Sequence, residues 1–372
     1  MIEKTAFDAF FYVIIYKQFI SPTSLLKELM MKYFTFQWHI TEACDQRCSH
    51  CYIYSDKSHI FTPDLSLKEL EKILDNCEDM CSRLHRLPYF SITGGDPILY
   101  KFFWEFLELL HNRKIAFNIL GNPFHLTDEV CQRLHTLGCK KYQLSIDGLL
   151  QTHDMIRRPG SFKSTLDAIP IIRNAGISCA VMTTVSKTNI HEIPAIIDLV
   201  VKNNVDIFAF ARYCSTDSSW ELMVSPTEYR SLLETCWDRF HLYQDSGTSF
   251  NLKDHLWTLF LYEKGLFTPD KSLDPNVIYE GCSCGINHMT ILSDGTVYAC
   301  RRMESPIGNA LRDSLYDVFL SDKMDDYRQY EQFQKCSKCE LLRFCRGCPA
   351  TACGIYGNMY APDPQCWKII NE

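Results

Sequence analysis

Residues 33–52, YFTFQWHITEACDQRCSHCY, decide the fold, because an apolar run typical of a strand leads directly into three thiols. Cys44, Cys48 and Cys51 follow that strand in a C-x3-C-x2-C spacing. A cubane iron–sulfur cluster takes four ligands, so three cysteines leave one iron open to a further ligand. The alternative that remains open is a zinc site whose fourth ligand is His50.

From about residue 34 to residue 212, short apolar runs alternate with amphipathic runs of helical period. The predicted strands are residues 33–40, 89–93, 116–120, 142–146, 178–185 and 206–213. The predicted helices are residues 66–87, 101–112, 127–137, 162–174 and 190–203, with Ser66 and Thr127 as N-caps. This alternation implies a parallel sheet with right-handed crossovers, either open or closed into a partial barrel. In both, functional residues gather at the carboxyl ends of the strands.

Composition limits the class of protein. The chain has 372 residues, of which 46% are hydrophobic, so it can bury a full core. Its net charge of -7 disfavours nucleic acid as a partner. The apolar run at residues 10–20 is too short to span a membrane. Nineteen cysteines without a secretory signal favour thiols in a reducing cytoplasm over a disulfide framework.

Two further segments lie at the ends of predicted strands. Residues 93–97, TGGDP, follow the second strand, and their glycines allow the backbone to approach a ligand closely. Residues 144–148, LSIDG, end the fourth strand and precede Arg157. A plain turn is the alternative for both segments, because Gly-Gly and Asp147-Gly148 are also common turn sequences.

Cysteines are dense again near the C-terminus. The thiols there are Cys282, Cys284, Cys300, Cys336, Cys339, Cys345, Cys348, Cys353 and Cys366. All-sulfur sites select zinc or iron–sulfur clusters, so a zinc ribbon of Cys336, Cys339, Cys345 and Cys348 stays open. The other cysteines are predicted to be buried as small hydrophobes, and they are Cys77, Cys81, Cys131, Cys139, Cys179, Cys214 and Cys236. Of these, Cys214 follows the sixth strand and could face a cavity.

The C-x3-C-x2-C motif followed by Tyr52 resembles the radical S-adenosylmethionine (SAM) superfamily. That resemblance implies a partial (β/α)6 barrel and a cluster on Cys44, Cys48 and Cys51 whose open iron binds SAM. Cleavage of SAM would give a 5'-deoxyadenosyl radical, with Tyr52 beside the adenine. Gly94, Gly95, Asp96 and Pro97 resemble the Gly-Gly-Glu-Pro motif that binds the SAM amino group, with Asp96 in place of Glu. Ser145 and Arg157 would hold the methionine carboxylate or the ribose.

The C-terminal cysteines resemble the SPASM extension, except that Cys345-x2-Cys348 is one residue shorter than the pattern. The resemblance implies an outer cluster on Cys336, Cys339, Cys345 and Cys366. It implies an inner cluster on Cys282, Cys300 and Cys348. Cys284 is the preferred fourth inner ligand, while Cys353 or an open iron are the alternatives. The cofactors would then be three 4Fe-4S clusters and SAM.

The resulting organisation has four parts. They are an N-terminal accessory helical segment (1–33), a radical SAM core (34–212), a helical bridge (213–279) and a metal-rich SPASM module (280–372).

The resemblance implies an oxidoreductase that modifies a peptide side chain, and we expect a thioether or another crosslink in a ribosomally made precursor peptide. Alternatives are a sulfatase-type maturase that makes formylglycine and a non-catalytic iron–sulfur electron carrier. Expected partners are the precursor peptide, a separate peptide-recognition protein, and an electron donor such as flavodoxin or ferredoxin. No nucleic acid or membrane partner is expected.

Overall fold

A computed structural model describes residues 32–54, 62–215 and 220–370. The accessory helical segment predicted for residues 1–33 therefore lies almost entirely outside the described residues. Within the described part of the chain, ten strands form one sheet. They are β1 (Tyr33–His39), β2 (Leu87–Thr93), β3 (Ala116–Leu120), β4 (Cys139–Ser145), β5 (Ser178–Val185), β6 (Ile207–Arg212), β7 (Ser249–Asn251), β8 (His288–Ile291), β9 (Thr296–Tyr298) and β10 (Pro306–Asn309).

The strand order is β10-β9-β8-β1-β2-β3-β4-β5-β6-β7. All neighbours from β8 to β7 pair in parallel, whereas β8–β9 and β9–β10 pair antiparallel. Strands β1 to β6 with their helical crossovers form the parallel sheet that the alternation predicted, and it has the partial-barrel form that the resemblance implied. The strands of the C-terminal module form no sheet of their own, because β8 pairs with β1 and extends the barrel sheet.

The helices follow the strands in the order that the sequence predicts. They are α1 (Leu67–Arg83), α2 (Phe103–Asn112), α3 (Asp128–Thr136), α4 (Leu150–Ile156), α5 (Ser161–Asn174), α6 (Ile193–Lys202), α7 (Pro226–Leu242), α8 (Leu256–Glu263), α9 (Leu315–Phe319), α10 (Asp322–Asp325) and α11 (Pro349–Tyr356). Ser66 and Thr127 cap α1 and α3 as predicted, and Ser66 forms a capping box with Glu69.

The sheet has one apolar and one polar face. On β1, Phe34, Phe36 and Trp38 are fully buried, while Thr35 and Gln37 between them stay partly exposed. The apolar face packs against the helices, as the edge-to-face contact between Trp38 and Phe106 of α2 shows. The polar face lines the inside of the barrel, which we call the lumen.

A buried ion-pair network ties the barrel to the C-terminal segment. Arg212, at the end of β6, is fully buried and donates from Nε to Asp254 at 2.9 Å. Its Nη1 and Nη2 atoms each donate to Asp363 at 2.9 Å. Because an unpaired buried charge is costly, these three residues hold β6, the segment before α8 and the C-terminus together.

The structure adds elements that the sequence pattern did not indicate. β7 and α4 are too short to show a clear period of buried residues. β4 begins at Cys139 instead of residue 142, because the charged Lys140 and Lys141 interrupt the apolar run from which its start was predicted. Helix α1 ends at Arg83, four residues early, since the chain turns through a left-handed His85 to enter β2. No helix among the described residues is long and apolar enough to cross a membrane.

Candidate active site

The loop after β1 carries the first three thiols and is held by its neighbours. Gly95 N donates to Thr41 O at 2.9 Å, and Asp96 N donates to Ala43 O at 2.7 Å. Within the loop, Cys51 N donates to Cys48 O at 3.0 Å. Cys44, Cys48 and Cys51 are all partly exposed. The structure thus places the three cysteines on one loop at the carboxyl ends of β1 and β2.

The glycines after β2 are required by this packing. A Cβ atom on Gly94 would lie 2.3 Å from Thr41 O, and one on Gly95 would lie 2.2 Å from Ala43 O. From the sequence, these glycines are expected to allow a ligand to approach closely. In the structure, the group that approaches them is the backbone of the cysteine loop.

Asp96 presents an unpartnered carboxylate oxygen. The side chain is fully buried, and its Oδ1 accepts from Asn122 N at 3.3 Å. Its Oδ2 has no hydrogen-bond partner among the described residues. Burial raises the pKa of Asp96 to about 7. Pro97, which is buried, follows as the first residue of a 3-10 turn. A buried carboxylate of this kind fits a cationic ligand such as the ammonium group of SAM.

Asn122 connects Asp96 to the cysteine loop, although no motif in the sequence indicates it. Its Nδ2 lies 3.3 Å from Cys44 Sγ and 2.7 Å from Asp45 Oδ1. Asn122 stands just after β3, so the rule that functional residues follow strand ends could have identified it. It fixes the orientation of the Cys44 thiol.

Asp147 and Arg157 form an ion pair beneath the same loop. Arg157 Nη2 lies 2.7 Å from Asp147 Oδ2, and its Nη1 lies 3.2 Å from Gln46 Oε1 and 3.7 Å from Cys48 Sγ. Burial opposes ionisation of Asp147, but Arg157 and His50 outweigh it and lower the pKa of Asp147. Arg157 therefore supports the thiol of Cys48 directly.

His50 also belongs to this ion-pair group. Its Nε2 lies 3.5 Å from Asp147 Oδ2. Its ring is thus directed at a carboxylate, which does not support the hypothesis that His50 completes a zinc site with the three cysteines.

Tyr52 and Ser145 border the same end of the barrel. The Arg301 guanidinium lies 4.3 Å from the centroid of the Tyr52 ring, and the His39 ring packs edge-on at 6.1 Å. Burial raises the pKa of Tyr52 to about 12. Ser145 is the last residue of β4, opposite Met182 of β5, and is partly exposed. Arg301 thus brings the C-terminal module onto the residue that follows the third cysteine.

The four thiols that we call the outer group lie together. Cys336, Cys339, Cys345 and Cys366 line one open cavity of about 340 Å³. Gly347 N donates to Cys345 Sγ at 3.4 Å. Cys348 does not line this cavity, so the structure does not assemble the four-cysteine zinc ribbon that the sequence left open.

Five other thiols form what we call the inner group, namely Cys214, Cys282, Cys284, Cys300 and Cys348. Hydrogen bonding to Cys282, burial, and the neighbouring Cys300 and Cys348 thiols all raise the pKa of Cys284. Cys284 thus lies close to the other three C-terminal thiols of the group. Burial alone raises the pKa of Cys353, and none of the inner-group thiols contributes to that shift.

Cys214 enters the inner group from the barrel. It hydrogen-bonds to Cys348, and this bond, against the effect of burial, lowers the pKa of Cys348 to about 5. Thr351 Oγ1 of α11 lies 3.0 Å from Cys214 Sγ. The other six cysteines predicted as small hydrophobes are buried, which confirms that prediction, whereas Cys214 is only partly buried and faces Cys348.

Comparisons with known families agree with this architecture. The radical SAM superfamily model matches residues 38–200, and the model of SPASM, an iron–sulfur cluster-binding domain, matches residues 282–349. The AdoMet-dependent heme synthase of Nitratidesulfovibrio vulgaris is 25% identical over 345 residues, which cover 88% of this chain and 90% of that protein. The sporulation killing factor maturation protein SkfB of Bacillus subtilis is 26% identical over 282 residues, covering 75% of this chain and 63% of that protein.

Among solved structures, Streptococcus suis SuiB bound to its precursor peptide SuiA superimposes with a TM-score of 0.71. Sequence identity is 20%, and the match covers 92% of this chain and 79% of that one, so the likeness concerns the fold. The two domain matches enclose the first cysteine loop and the start of the C-terminal series. The chain therefore carries a radical SAM domain at residues 38–200 and a SPASM domain at residues 282–349.

Proposed function

We propose that this enzyme binds SAM at Cys44, Cys48 and Cys51 and oxidatively modifies a peptide side chain. When bound, the 4Fe-4S cluster and SAM supply a one-electron cleavage that yields a 5'-deoxyadenosyl radical for hydrogen abstraction. The observation that carries the proposal is the buried Asp96 Oδ2, which has no partner in the described structure and lies on the turn that packs against the cysteine loop. It would accept a hydrogen bond from the SAM ammonium group.

The other residues of the site position these groups. Asn122 orients Cys44, and Arg157 with Gln46 supports Cys48. Tyr52, which the Arg301 guanidinium contacts, provides an aromatic edge for the adenine. Ser145 offers a hydroxyl to the ribose or the methionine carboxylate. The lumen encloses the substrate, which keeps water from the reacting carbon and holds it near the radical.

Two further clusters complete our proposed cofactor set. The outer group would hold one through Cys336, Cys339, Cys345 and Cys366. The inner group would hold the other through Cys282, Cys284, Cys300 and Cys348. We assign Cys284 as the fourth ligand because it lies near all three other thiols, whereas none of them contributes to the raised pKa of Cys353. These clusters would accept the electron that leaves the substrate.

The test is metal analysis and SAM cleavage after anaerobic reconstitution. We expect about twelve irons per chain and about eight in the Cys44→Ala/Cys48→Ala/Cys51→Ala variant, because each cubane holds four. Dithionite-reduced wild type should release 5'-deoxyadenosine, and the triple variant should release none. Zinc in the C-terminal module would contradict the auxiliary clusters, and iron without any SAM cleavage would favour an electron carrier.

A peptide substrate is supported by the relatives. SkfB is named as a maturation protein for a sporulation killing factor, and SuiB, which shares the fold, was solved with its precursor peptide. An extended peptide can add to an exposed sheet edge, and the terminal strands β7 and β10 present such edges. A separate protein would recognise the peptide, and a flavodoxin or ferredoxin would donate electrons. We propose that the product is a thioether or another crosslink.

The mass of the product identifies the chemistry. A crosslink removes two hydrogen atoms, one by abstraction and one as a proton plus an electron, so the peptide becomes lighter by two hydrogens. Blocking the peptide's cysteines beforehand should abolish this loss if the bond is a thioether. A loss that survives blocking would indicate a carbon–carbon crosslink or another desaturating reaction. A cysteine converted to formylglycine would instead establish the sulfatase-type alternative.

A second candidate function rests on the heme synthase relative, because this chain covers 90% of its length. The substrate would then be a tetrapyrrole. Incubating the reduced enzyme with SAM and an iron porphyrin that carries propionate groups separates the two candidates. A changed porphyrin mass with unchanged peptides would favour the tetrapyrrole reaction.

A further inference from the structure

The lumen carries basic side chains on strands that are far apart in the sequence. On β4, Lys141, Gln143 and Ser145 are partly exposed, whereas Tyr142 and Leu144 between them are buried. This period of two places Lys141 on the polar inner face. On β7, the same alternation leaves Ser249 and Asn251 partly exposed around the buried Phe250. Lys253 follows Asn251 by two residues and is exposed.

Three cationic side chains and one histidine, whose pKa burial lowers to about 4, lie near one another, and we call them the lumen cluster. They are Lys141, Lys253, His288 and Arg302. Burial and the nearby Lys253 lower the pKa of Lys141 to about 7. Burial and Arg302 lower the pKa of Lys253 to about 8. His288, the first residue of β8, also has Lys253 as a neighbour. The cluster thus spans β4, the segment after β7, β8 and the segment after β9.

Lys253 has no counter-charge in the described part of the chain. It takes part in no ion pair or hydrogen bond there, although it is surrounded closely enough for burial to lower its pKa. An ammonium group that solvent reaches but that is also partly desolvated fits a position on the wall of the lumen. The whole chain carries a net charge of -7, so this local concentration of positive charge is opposite in sign to the rest of the molecule.

The lumen cluster borders the inner group. Arg302 Nη1 lies 3.8 Å from Cys348 Sγ. Lys141 stands four residues before Ser145 on β4, so it lies deeper in the barrel than the loop that carries Cys44. An anion held by Lys253 would lie near Arg302, which contacts the inner group, and would use different residues from the Asp96 site.

We propose that the lumen cluster binds a carboxylate group of the substrate. This inference rests on the proposed function, because it assigns the substrate class of the same barrel. An ammonium group held in a partly desolvated cavity is stabilised by an anion that enters with the substrate. The carboxylate has two possible sources with the same chemistry, namely an acidic side chain of a peptide or a propionate group of a tetrapyrrole.

The experiment measures binding to the reconstituted holoenzyme without SAM. The probes are coproporphyrin III, its tetramethyl ester, a short peptide that contains glutamates, and the same peptide with glutamines. At least one acid probe should bind about tenfold or more tightly than its neutral partner, the difference expected for a charge-assisted hydrogen bond of about 1.5–3 kcal/mol. The acid that binds identifies the source of the carboxylate.

Variants locate the interaction. Lys253→Ala should weaken binding of the acid probe about tenfold, Lys253→Glu should weaken it further, and Lys253→Arg should retain most of it. Lys163→Ala is the matched control, because Lys163 is exposed on the outer helix α5 and should have no effect. Melting temperatures of the variants, compared with wild type, exclude unfolding as the cause of any loss.

Equal binding of acid and neutral probes, or unchanged binding by Lys253→Ala, would overturn the inference, as would the failure of both acid probes to bind. SAM cleavage by the wild type is assayed separately. If acid probes bind through Lys253 while no SAM is cleaved, the carboxylate site stands and the proposed function fails.

Discussion

At the scale of single residues, Asp96 is the most informative side chain. Replacing it with alanine removes the only unpartnered buried carboxylate oxygen of the described structure. We expect Asp96→Ala to weaken SAM binding about tenfold or more, because a charge-assisted hydrogen bond contributes roughly 1.5–3 kcal/mol. Asp96→Glu should have a mild effect. Equilibrium titration with SAM measures the affinity, and iron content should not change. Equal affinity of wild type and Asp96→Ala would show that the turn is only structural.

Cys214 leads to a second prediction at this scale. As a hydrogen-bond donor to Cys348, it should raise the reduction potential of the inner cluster. Cys214→Ala should keep all irons and shift that potential to a more negative value, while Cys214→Ser should largely restore it. A redox titration followed by electron paramagnetic resonance measures the shift.

Variants of two other cysteines serve as controls for this experiment. Cys284→Ala should lose up to about four irons if Cys284 is a ligand, and Cys353→Ser should change nothing. A loss of iron in Cys214→Ala would show instead that Cys214 is itself a ligand.

The spacing of Cys44, Cys48 and Cys51 predicted that these thiols lie together, because residues of one loop are close by covalent connection. The outer and inner groups were instead implied by the resemblance to the SPASM extension. The sequence could not show that Cys348 and Cys214 meet, or that Asn122 reaches Cys44, since each pair is joined only through the fold. It also could not show that Arg302 approaches Cys348.

At the scale of elements, two glycines mark where segments approach too closely for a side chain. A Cβ atom on Gly95 would lie 2.2 Å from Ala43 O, and one on Gly354 of α11 would lie 2.0 Å from Ser215 O. Gly95→Ala should therefore displace the first cysteine loop and lower its iron content by up to about four atoms. Gly354→Ala should instead alter the spectrum of the inner cluster.

Each glycine variant is the control for the other. Spectra that resolve the three clusters, recorded for both variants, show which cluster each substitution disturbs. If Gly95→Ala disturbs only the inner cluster, or if neither variant changes any cluster, the packing explanation is wrong.

Elements with a clear period were predictable. Strands β3 and β5 have the predicted bounds, since both are apolar runs between turn residues. The three-residue β7 and the seven-residue α4 were not predicted, because neither is long enough to complete its period twice. The sequence pattern also could not predict that β8 pairs with β1, because the period of buried residues along a strand does not specify its partner strand.

At the scale of the whole molecule, Arg212 connects the barrel to the C-terminal segment. Arg212→Ala would leave Asp254 and Asp363 buried and unpaired, so we expect a loss of about 3–5 kcal/mol in the free energy of unfolding. Arg133→Ala, which breaks an exposed ion pair with Glu108, should cost less than about 1 kcal/mol. Anaerobic urea unfolding compares the two variants, and similar losses would contradict the role given to Arg212.

The pairing of β1 with β8 has a consequence for synthesis on the ribosome. Thr35 pairs with His288, so one edge of β1 has no partner until roughly 250 further residues have been made. At about 5–20 residues per second, that interval lasts on the order of tens of seconds. During this time the nascent chain exposes an aromatic-rich strand edge, which is a template for aggregation. Chaperone supply and slow translation should therefore affect the yield of this protein more than its final stability does.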